Sequence, residues 1–236
     1  NRELYGNDDF RERAEAVAVA LAGTPYLATR LWVALAEGVE PALATPDDAL
    51  GYAHVELPQA EERHLAFVLV AVRRDVRGRG LGARLAAEVA AHLRAEGRTT
   101  VLTWTAGPVV AADEPGAIVP ASGWGAVDGR APTVRWLTQL GFTLEQAARY
   151  SVLEVPADRR AFLASLDERR RASAARAGGD YRVVQWRDAT PGQLRERMAD
   201  LRRRMSVDVP TAALDVEEQV WDAERVRIAD RRHLDQ

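Results

Sequence analysis

The chain has 236 residues, 47% of them hydrophobic, which is enough for one large folded domain or somewhat more. Its net charge of −3 excludes a general attraction to nucleic acid, and the absence of cysteine excludes disulfides, thiolate metal sites and a cysteine nucleophile. The four histidines lack the spacing of metal ligands. No apolar run has membrane-spanning length and no signal peptide is visible, so we expect a cytoplasmic protein without a bound metal.

The amino-terminal part predicts one helix followed by two strands. Asp8-Asp9 is typical of a helix N-cap, and Gly23-Thr24-Pro25 ends the helix. Its apolar face is formed by Phe10, Ala14, Val17 and Leu21. The strands are predicted at about residues 29–35 and 51–57, with a loop rich in Pro, Ala and Asp over 37–49.

The most informative feature is a turn rich in glycine and arginine that joins an apolar strand, 65–72, to a helix beginning at Leu81. The helix carries one apolar stripe, made of Leu81, Leu85, Val89 and Leu93. Five arginines lie within residues 73–84, at positions 73, 74, 77, 79 and 84. Glycine lets the backbone approach an anion, and the N–H groups of a helix N-terminus bind it. The turn therefore predicts a site for a ligand with several phosphates.

After this helix the pattern continues with a strand, a long loop, a helix and a strand. The strand is predicted over 99–105, and the loop over 107–131 is rich in Gly, Pro and Ala. The helical segment lies over 136–142, and the last strand over 148–155. Upstream, Glu61-Glu62-Arg63 is interpreted as a solvated turn.

A different composition begins after Pro156. A charged linker helix is predicted over 157–177, followed by a strand over 181–186. Thr190-Pro191 predicts a helix start, and Asp215 to Glu218 resembles a capping box that opens another helix. The apolar residues of these helices are Leu194, Met198, Leu201, Met205 and Trp221. We expect them to pack on the preceding domain, on a segment outside this sequence, or across a homodimer.

The turn resembles the acetyl-coenzyme A motif of the GNAT N-acetyltransferase family, which reads Arg/Gln-x-x-Gly-x-Gly/Ala. The late helix ending in Gly141-Phe142 is similar to another feature of that family, and the resemblance covers about residues 7–156. It implies an α/β GNAT fold, with a mixed, mostly antiparallel sheet that is flanked by helices and splays beside the coenzyme A strand. It also implies acetyl-CoA as cosubstrate, bound by Val70, Ala71, Val72, Arg77, Gly78, Arg79, Gly80, Leu81, Gly82, Ala83 and Arg84.

The same resemblance implies transfer of an acetyl group to a primary amine of a small molecule. The family's acid is often the Tyr of a Tyr-x-x-x-Gly-Phe pattern, but Leu137 stands at that position here. Its base is often a carboxylate on the strand before the turn, but residues 66–72 carry none. The substitutes are His54 and Glu56, two apart on the preceding strand and so on one face, and Tyr150 as acid.

Residues 180–236 resemble the second half of tandem GNAT proteins from actinobacteria. This similarity predicts a GNAT domain over 1–156 that lacks its first strand and helix, a linker helix over 157–179, and an incomplete second unit over 180–236. The chain is then expected to belong to a longer tandem protein. One half of such a protein can be degenerate, so a domain that binds acetyl-CoA without turnover is the alternative to an enzyme.

Other interpretations of the turn are open at this point. Residues 78–83 fit the dinucleotide fingerprint G-x-G-x-x-A, but the following strand, 101–105, ends without the carboxylate that would bind the ribose. Arg-Gly runs also bind RNA, but such runs are usually disordered and this one lies between apolar elements. A purely structural turn is the third alternative.

We expect a small amine as the partner of the protein, and neither nucleic acid nor a membrane. A homodimer is left open. All 32 basic residues are arginine, which together with the frequent Ala and Val indicates a GC-rich bacterial genome.

Overall fold

The computed structural model describes residues 13–208 and 214–235. In chain order the helices and strands are α1 (Ala14–Ala22), β1 (Leu27–Leu35), β2 (Ala49–Pro58), β3 (Leu65–Val72), α2 (Leu81–Ala95), β4 (Thr100–Leu102), β5 (Ala117–Ile118), β6 (Val127–Asp128), α3 (Pro132–Gln139), α4 (Arg159–Ala177), α5 (Arg195–Asp208) and α6 (Ala223–Asp235). Short 3-10 helices occur at Pro41–Leu43, Pro46–Asp48, Arg74–Val76 and Gly192–Leu194. Asp8, Asp9 and Phe10, expected to start the first helix, lie outside the described residues.

The central sheet has the strand order β1-β2-β3-β4. The first three strands are antiparallel, whereas β4 runs parallel to β3. Pairing between β3 and β4 begins at Leu65↔Thr100 and ends at Phe67↔Leu102, while β3 itself continues to Val72. The two strands therefore part after Phe67, and the mixed sheet with a splay beside β3 is confirmed.

Helix α2 covers one face of this sheet. Its predicted stripe is confirmed, because Leu85, Val89 and Leu93 are buried there. They pack against the inward-facing residues Ala53, Val55, Leu57 and Ala66 of β2 and β3. Burial of each of these Leu and Val side chains stabilises the folded state by about 1.5–3 kcal/mol of free energy. The contact between α2 and the sheet therefore stabilises the sheet.

One end of the opposite face, around Thr29, Glu56 and Phe67, is covered by α1 and by the two last helices. The Thr29 hydroxyl of β1 donates to the carbonyl of Ala20 in α1 at 3.3 Å. Arg232 of α6 lies 3.5 Å from the same carbonyl and 3.9 Å from the Glu56 carboxylate of β2. Val226 of α6 is completely buried. Helix α6 therefore packs on α1 and on the central sheet, whereas Leu201 and Met205 of α5 stay 50% and 53% exposed.

Two strands predicted from alternating apolar residues do not form. Residues 148–155 and 181–186 have no strand conformation, and Leu153 in the first of them is 73% exposed. A strand is stabilised by hydrogen bonds to a neighbouring strand. In the described part of the chain the sheet ends at β4, which pairs over only three residues. Neither segment pairs with the outer edge of β4 or with any other described strand, so neither gains these hydrogen bonds.

Two predicted helix starts are also wrong. The last helix begins at Ala223, where the Asp222 carboxylate accepts from the N–H of Arg225 at 2.7 Å, and not at Asp215–Glu218. Thr190 does not cap a helix: it is buried and both its N–H and its hydroxyl donate to Asp230. Helix α5 begins later, at Arg195. Hydrogen bonds to residues far away in the sequence thus replace the capping hydrogen bonds that the local sequence predicts.

The linker helix is confirmed with small changes in its bounds. Asp158 caps α4 by accepting from the N–H of Ala161 at 3.0 Å, and Gly178 ends the helix. No helix within residues 13–208 and 214–235 is both long enough and apolar enough to cross a membrane.

Candidate functional site

The glycine turn lies between the end of β3 and the start of α2. Gly78 and Gly80 have φ values of +75° and +83°, a left-handed region that disfavours other residues, and Gly80 is the N-cap of α2. A β-carbon at either glycine would meet nothing within 4 Å, so the space beside the turn is open. The first N–H groups of α2 lack acceptors within the helix. They point toward this space and can bind an anion.

Four of the five arginines of the turn divide into two groups. Arg73 is held by the carboxylate of Asp75 at 2.8 and 2.9 Å and by the carbonyl of Asp47 at 2.9 Å. The hydrogen bond from Arg73 lowers the pKa of Asp75 below its ordinary value. Arg77 donates through Nε to the carbonyl of Val72 at 2.9 Å and so connects the turn to the strand end. These two arginines shape the turn.

Arg79 and Arg84 form the second group. Both are exposed, and within the described ranges their side chains make no hydrogen bond or ion pair. Their charges are therefore available to a phosphate that binds at the turn. Guanidinium groups suit this task because they donate two parallel hydrogen bonds to phosphate oxygens.

Helix α3 closes one side of the turn. A β-carbon on Gly82 would lie 3.6 Å from Cζ2 of Trp136 and 3.6 Å from Cγ2 of Val72. The indole is therefore a wall against the first turn of α2. The next residue, Leu137, is partly buried and offers no polar group. Leu137 is the residue that stands where the Tyr-x-x-x-Gly-Phe pattern has its tyrosine.

His54 and Glu56 do lie on one face of β2, as predicted, and it is the face opposite α2. His54 pairs with Leu31 on β1 and Leu69 on β3, and its Nε2 is buried without a hydrogen-bond partner among the described residues. Glu56 lies directly opposite Phe67, the residue after which β3 and β4 part. The two side chains are therefore one strand away from the splay, with β3 in between.

Tyr150 is not on a strand. The segment around it is irregular, and its side chain is 57% exposed. The predicted position of Tyr150 in the sheet after Gly141-Phe142 is therefore wrong. Its assignment as an acid stays a prediction.

Sequence reasoning missed the acidic loop before β3. Glu62 is buried and Glu61 is largely buried: Glu61 binds Arg225 of α6 at 2.9 Å, and the N–H of Glu62 donates to Glu217 at 2.8 Å. His64 also binds this part of the chain, through Asp215 at 3.1 Å. The partners are 151–164 positions away along the chain, so no local signal could have indicated them.

Residues 9–115 match the model of the acetyltransferase (GNAT) family. This segment is therefore similar to that family. It contains α1, all four strands of the central sheet, the glycine turn, α2, His54 and Glu56. Helix α3 with Leu137, and Tyr150, lie beyond it.

Several solved structures are remotely similar. The aminoglycoside N-acetyltransferase AAC(6')-Iy, in complex with a bisubstrate analog, is 15% identical, with 65% of this chain and 86% of that chain covered and a TM-score of 0.39. An acetyltransferase from Trypanosoma brucei is 15% identical, with 55% and 70% covered and a TM-score of 0.33. A transcriptional regulator from Bacillus halodurans C-125 is 15% identical, with 58% and 73% covered and a TM-score of 0.36. No curated protein matches this chain.

Proposed function

We propose that the chain is an acetyl-CoA-dependent N-acetyltransferase that acetylates a primary amine of a small molecule. The observation that carries the proposal is the open glycine turn at the N-terminus of α2, inside the GNAT-family segment. Its N–H groups and the side chains of Arg79 and Arg84 bind the diphosphate of the coenzyme.

The splay supplies a second binding element. Because β4 pairs only with residues 65–67, the edge of β3 from Val68 to Val72 that faces β4 is open within the described residues. Val70, Ala71 and Val72 can therefore pair through their backbone with the amides of the pantetheine arm. This pairing directs the thioester from the turn toward the splay.

The chemistry at the splay is acyl transfer. The amine nitrogen attacks the thioester carbonyl carbon, a C–N bond forms, the C–S bond breaks, and the amine gives up a proton. We assign the base to the pair His54 and Glu56, which lie on β2, one strand away from the splay, and keep Tyr150 as the candidate that protonates the departing thiolate. The Nε2 atom of His54 has no hydrogen-bond partner among the described residues, and an imidazole nitrogen of this kind can accept a proton.

Calorimetry with three ligands tests the binding class. Acetyl-CoA and desulfo-CoA are expected to bind to the chain, because both contain the diphosphate and the pantetheine arm. NADPH, which has a diphosphate without that arm, is expected to bind much more weakly. Binding of NADPH together with no binding of either coenzyme A compound contradicts the proposal and favours a dinucleotide site.

A double substitution tests the base. The variant with His54→Ala and Glu56→Gln is expected to lose about 100-fold or more in turnover, since a positioned base contributes roughly that much, and to keep its affinity for acetyl-CoA. The assay uses 2-phenylethylamine, an aliphatic diamine and an aminoglycoside as acceptors, and the rate is expected to rise with pH as the amine deprotonates. Unchanged turnover removes His54 and Glu56 from catalysis. A Tyr150→Phe variant with unchanged turnover removes Tyr150 as the acid.

The second candidate function is acetyl-CoA binding without turnover. It is favoured by Leu137 at the position of the family's tyrosine and by the lack of a carboxylate on β3. Tight binding of acetyl-CoA with no acetylation of any of the three acceptors would select it. In that case residues 180–236, which we propose to be the start of a second GNAT-like unit, are the part of the chain that leads to the catalytic half.

A further inference from the structure

A cleft of about 560 Å³ lies where α5 and the segment before α6 cross the start of β3. Its apolar wall is made of side chains from three separate parts of the chain, which include Phe67, Met198, Leu201 and Trp221. Two charged residues, Glu62 and Arg202, also line it. An apolar cavity with few polar groups is the usual form of a small-molecule site.

The cleft is next to the proposed acetyl-transfer site. Phe67 is the last residue of β3 that pairs with β4, and it lies directly opposite Glu56. Strands rise about 3.3 Å per residue, so the cleft begins about 10 Å along β3 from Val70. It lies on the face opposite α2, the same face as His54 and Glu56.

Glu62 is the acidic group of this cleft. Its residue is 7% exposed, and the hydrogen bond that its carboxylate accepts, from Nε2 of Gln219, is long at 3.4 Å. Among the described residues Arg202 does not pair with it; the Arg202 guanidinium lies over the Trp221 ring, 4.7 Å from its centre. A buried carboxylate is costly unless donors satisfy it. A ligand with a cationic donor would supply them.

We propose that this cleft selects the acceptor and that it takes an amine with an apolar body. The ammonium group of the ligand donates to the Glu62 carboxylate, and the apolar body packs on Phe67, Leu201 and Trp221. Met198 lets the wall adapt to different shapes, because methionine is flexible and polarisable. The role as acceptor site depends on the proposed acetyltransferase function, whereas the binding of an apolar amine does not.

The test compares 2-phenylethylamine with its uncharged counterpart 2-phenylethanol by ligand-observed NMR on the full chain. The amine is expected to bind about tenfold more tightly, as a hydrogen bond between charged groups implies. Glu62→Gln is expected to remove this preference, and Leu201→Arg is expected to abolish binding of both compounds. If Glu62 had only a structural role, Glu62→Gln would leave the ratio of the affinities for the amine and the alcohol unchanged.

Leu234→Arg is the matched control, because Leu234 of α6 is 54% exposed, close to the 50% of Leu201, and does not line the cleft. It should bind both compounds as the unmodified chain does. Equal affinity for amine and alcohol, or unchanged binding in Leu201→Arg, overturns the cleft proposal.

An acetyl-CoA titration of the same samples separates the cleft proposal from the proposed acetyltransferase function. If acetyl-CoA binds and the amine does not, only the cleft proposal fails. If the amine binds in the cleft and acetyl-CoA does not bind, the acetyltransferase function fails and the amine site stands.

Discussion

Replacing Gly80 by leucine is expected to weaken acetyl-CoA binding about 100-fold or more. The β-carbon of Gly80 would point into open space beside the first turn of α2, where the diphosphate binds in our proposal. A leucine side chain there keeps the phosphates away from the N–H groups. Each hydrogen bond to a charged group is worth about 1.5–3 kcal/mol, so losing two of them accounts for the effect. Isothermal calorimetry with acetyl-CoA measures it.

The control for this variant is Gly97→Leu. Gly97 follows the other end of α2, has a φ of +73° and, like Gly80, has nothing within 4 Å of a β-carbon. Both substitutions impose the same left-handed strain, about 1–2 kcal/mol, and should lower the melting temperature to a similar extent. Only Gly80→Leu should affect the coenzyme. If affinity falls equally in both variants, strain explains the loss; if it falls in neither, the turn is not the binding site.

Replacing Arg225 by alanine is expected to destabilise the chain by about 3 kcal/mol, the lower end of the cost of breaking a buried ion pair. The Arg225 and Glu61 side chains are only 11% and 13% exposed and lie 2.9 Å apart. The guanidinium also lies over the rings of Tyr26 and Trp221, at 4.4 and 4.8 Å. Arg225 therefore connects α6 to the first domain, and its loss leaves Glu61 buried without its cation. Urea unfolding measures the change in free energy, and limited proteolysis should show earlier cleavage between α5 and α6.

Arg227→Ala on the same helix is the matched control. Arg227 forms an exposed ion pair with Glu224, three residues away, and such pairs contribute little. Its removal should change the free energy of unfolding by less than about 0.5 kcal/mol. Equal effects of the two substitutions would contradict the assignment of Arg225 as the residue that connects the two parts.

The same ion pair predicts a dependence on pH. Burial raises the pKa of Glu61, but hydrogen bonds from Arg225 and from the N–H of Val220 outweigh it and hold the pKa below its ordinary value of 4.5. Because the folded state favours the ionised form of Glu61, this carboxylate contributes fully to the stability of the fold above pH 4.5. Its contribution is lost as the pH falls through the lower pKa that Glu61 has in the folded state. Part of the stability is thus expected to disappear as the pH falls below 4.5. Glu61→Gln should remove that part of the pH dependence.

The sequence by itself predicted the elements whose signals are local. The apolar run of β3, the spacing of Leu85, Val89 and Leu93, and the glycine turn between them each act within a few residues. The structure confirms all three. His54 and Glu56 were placed on one face by the two-residue period of a strand, and they do share a face.

Only the tertiary structure decided what depends on distant partners. Residues 148–155 and 181–186 have the composition of strands, but a strand needs a neighbour, and neither segment pairs with any of the described strands. Glu61 and Glu62 have the composition of a solvated turn, but side chains of the last 20 or so residues bury them. The cleft beside Phe67 exists for the same reason: its walls come from parts of the chain more than 100 residues apart, and only folding brings them together.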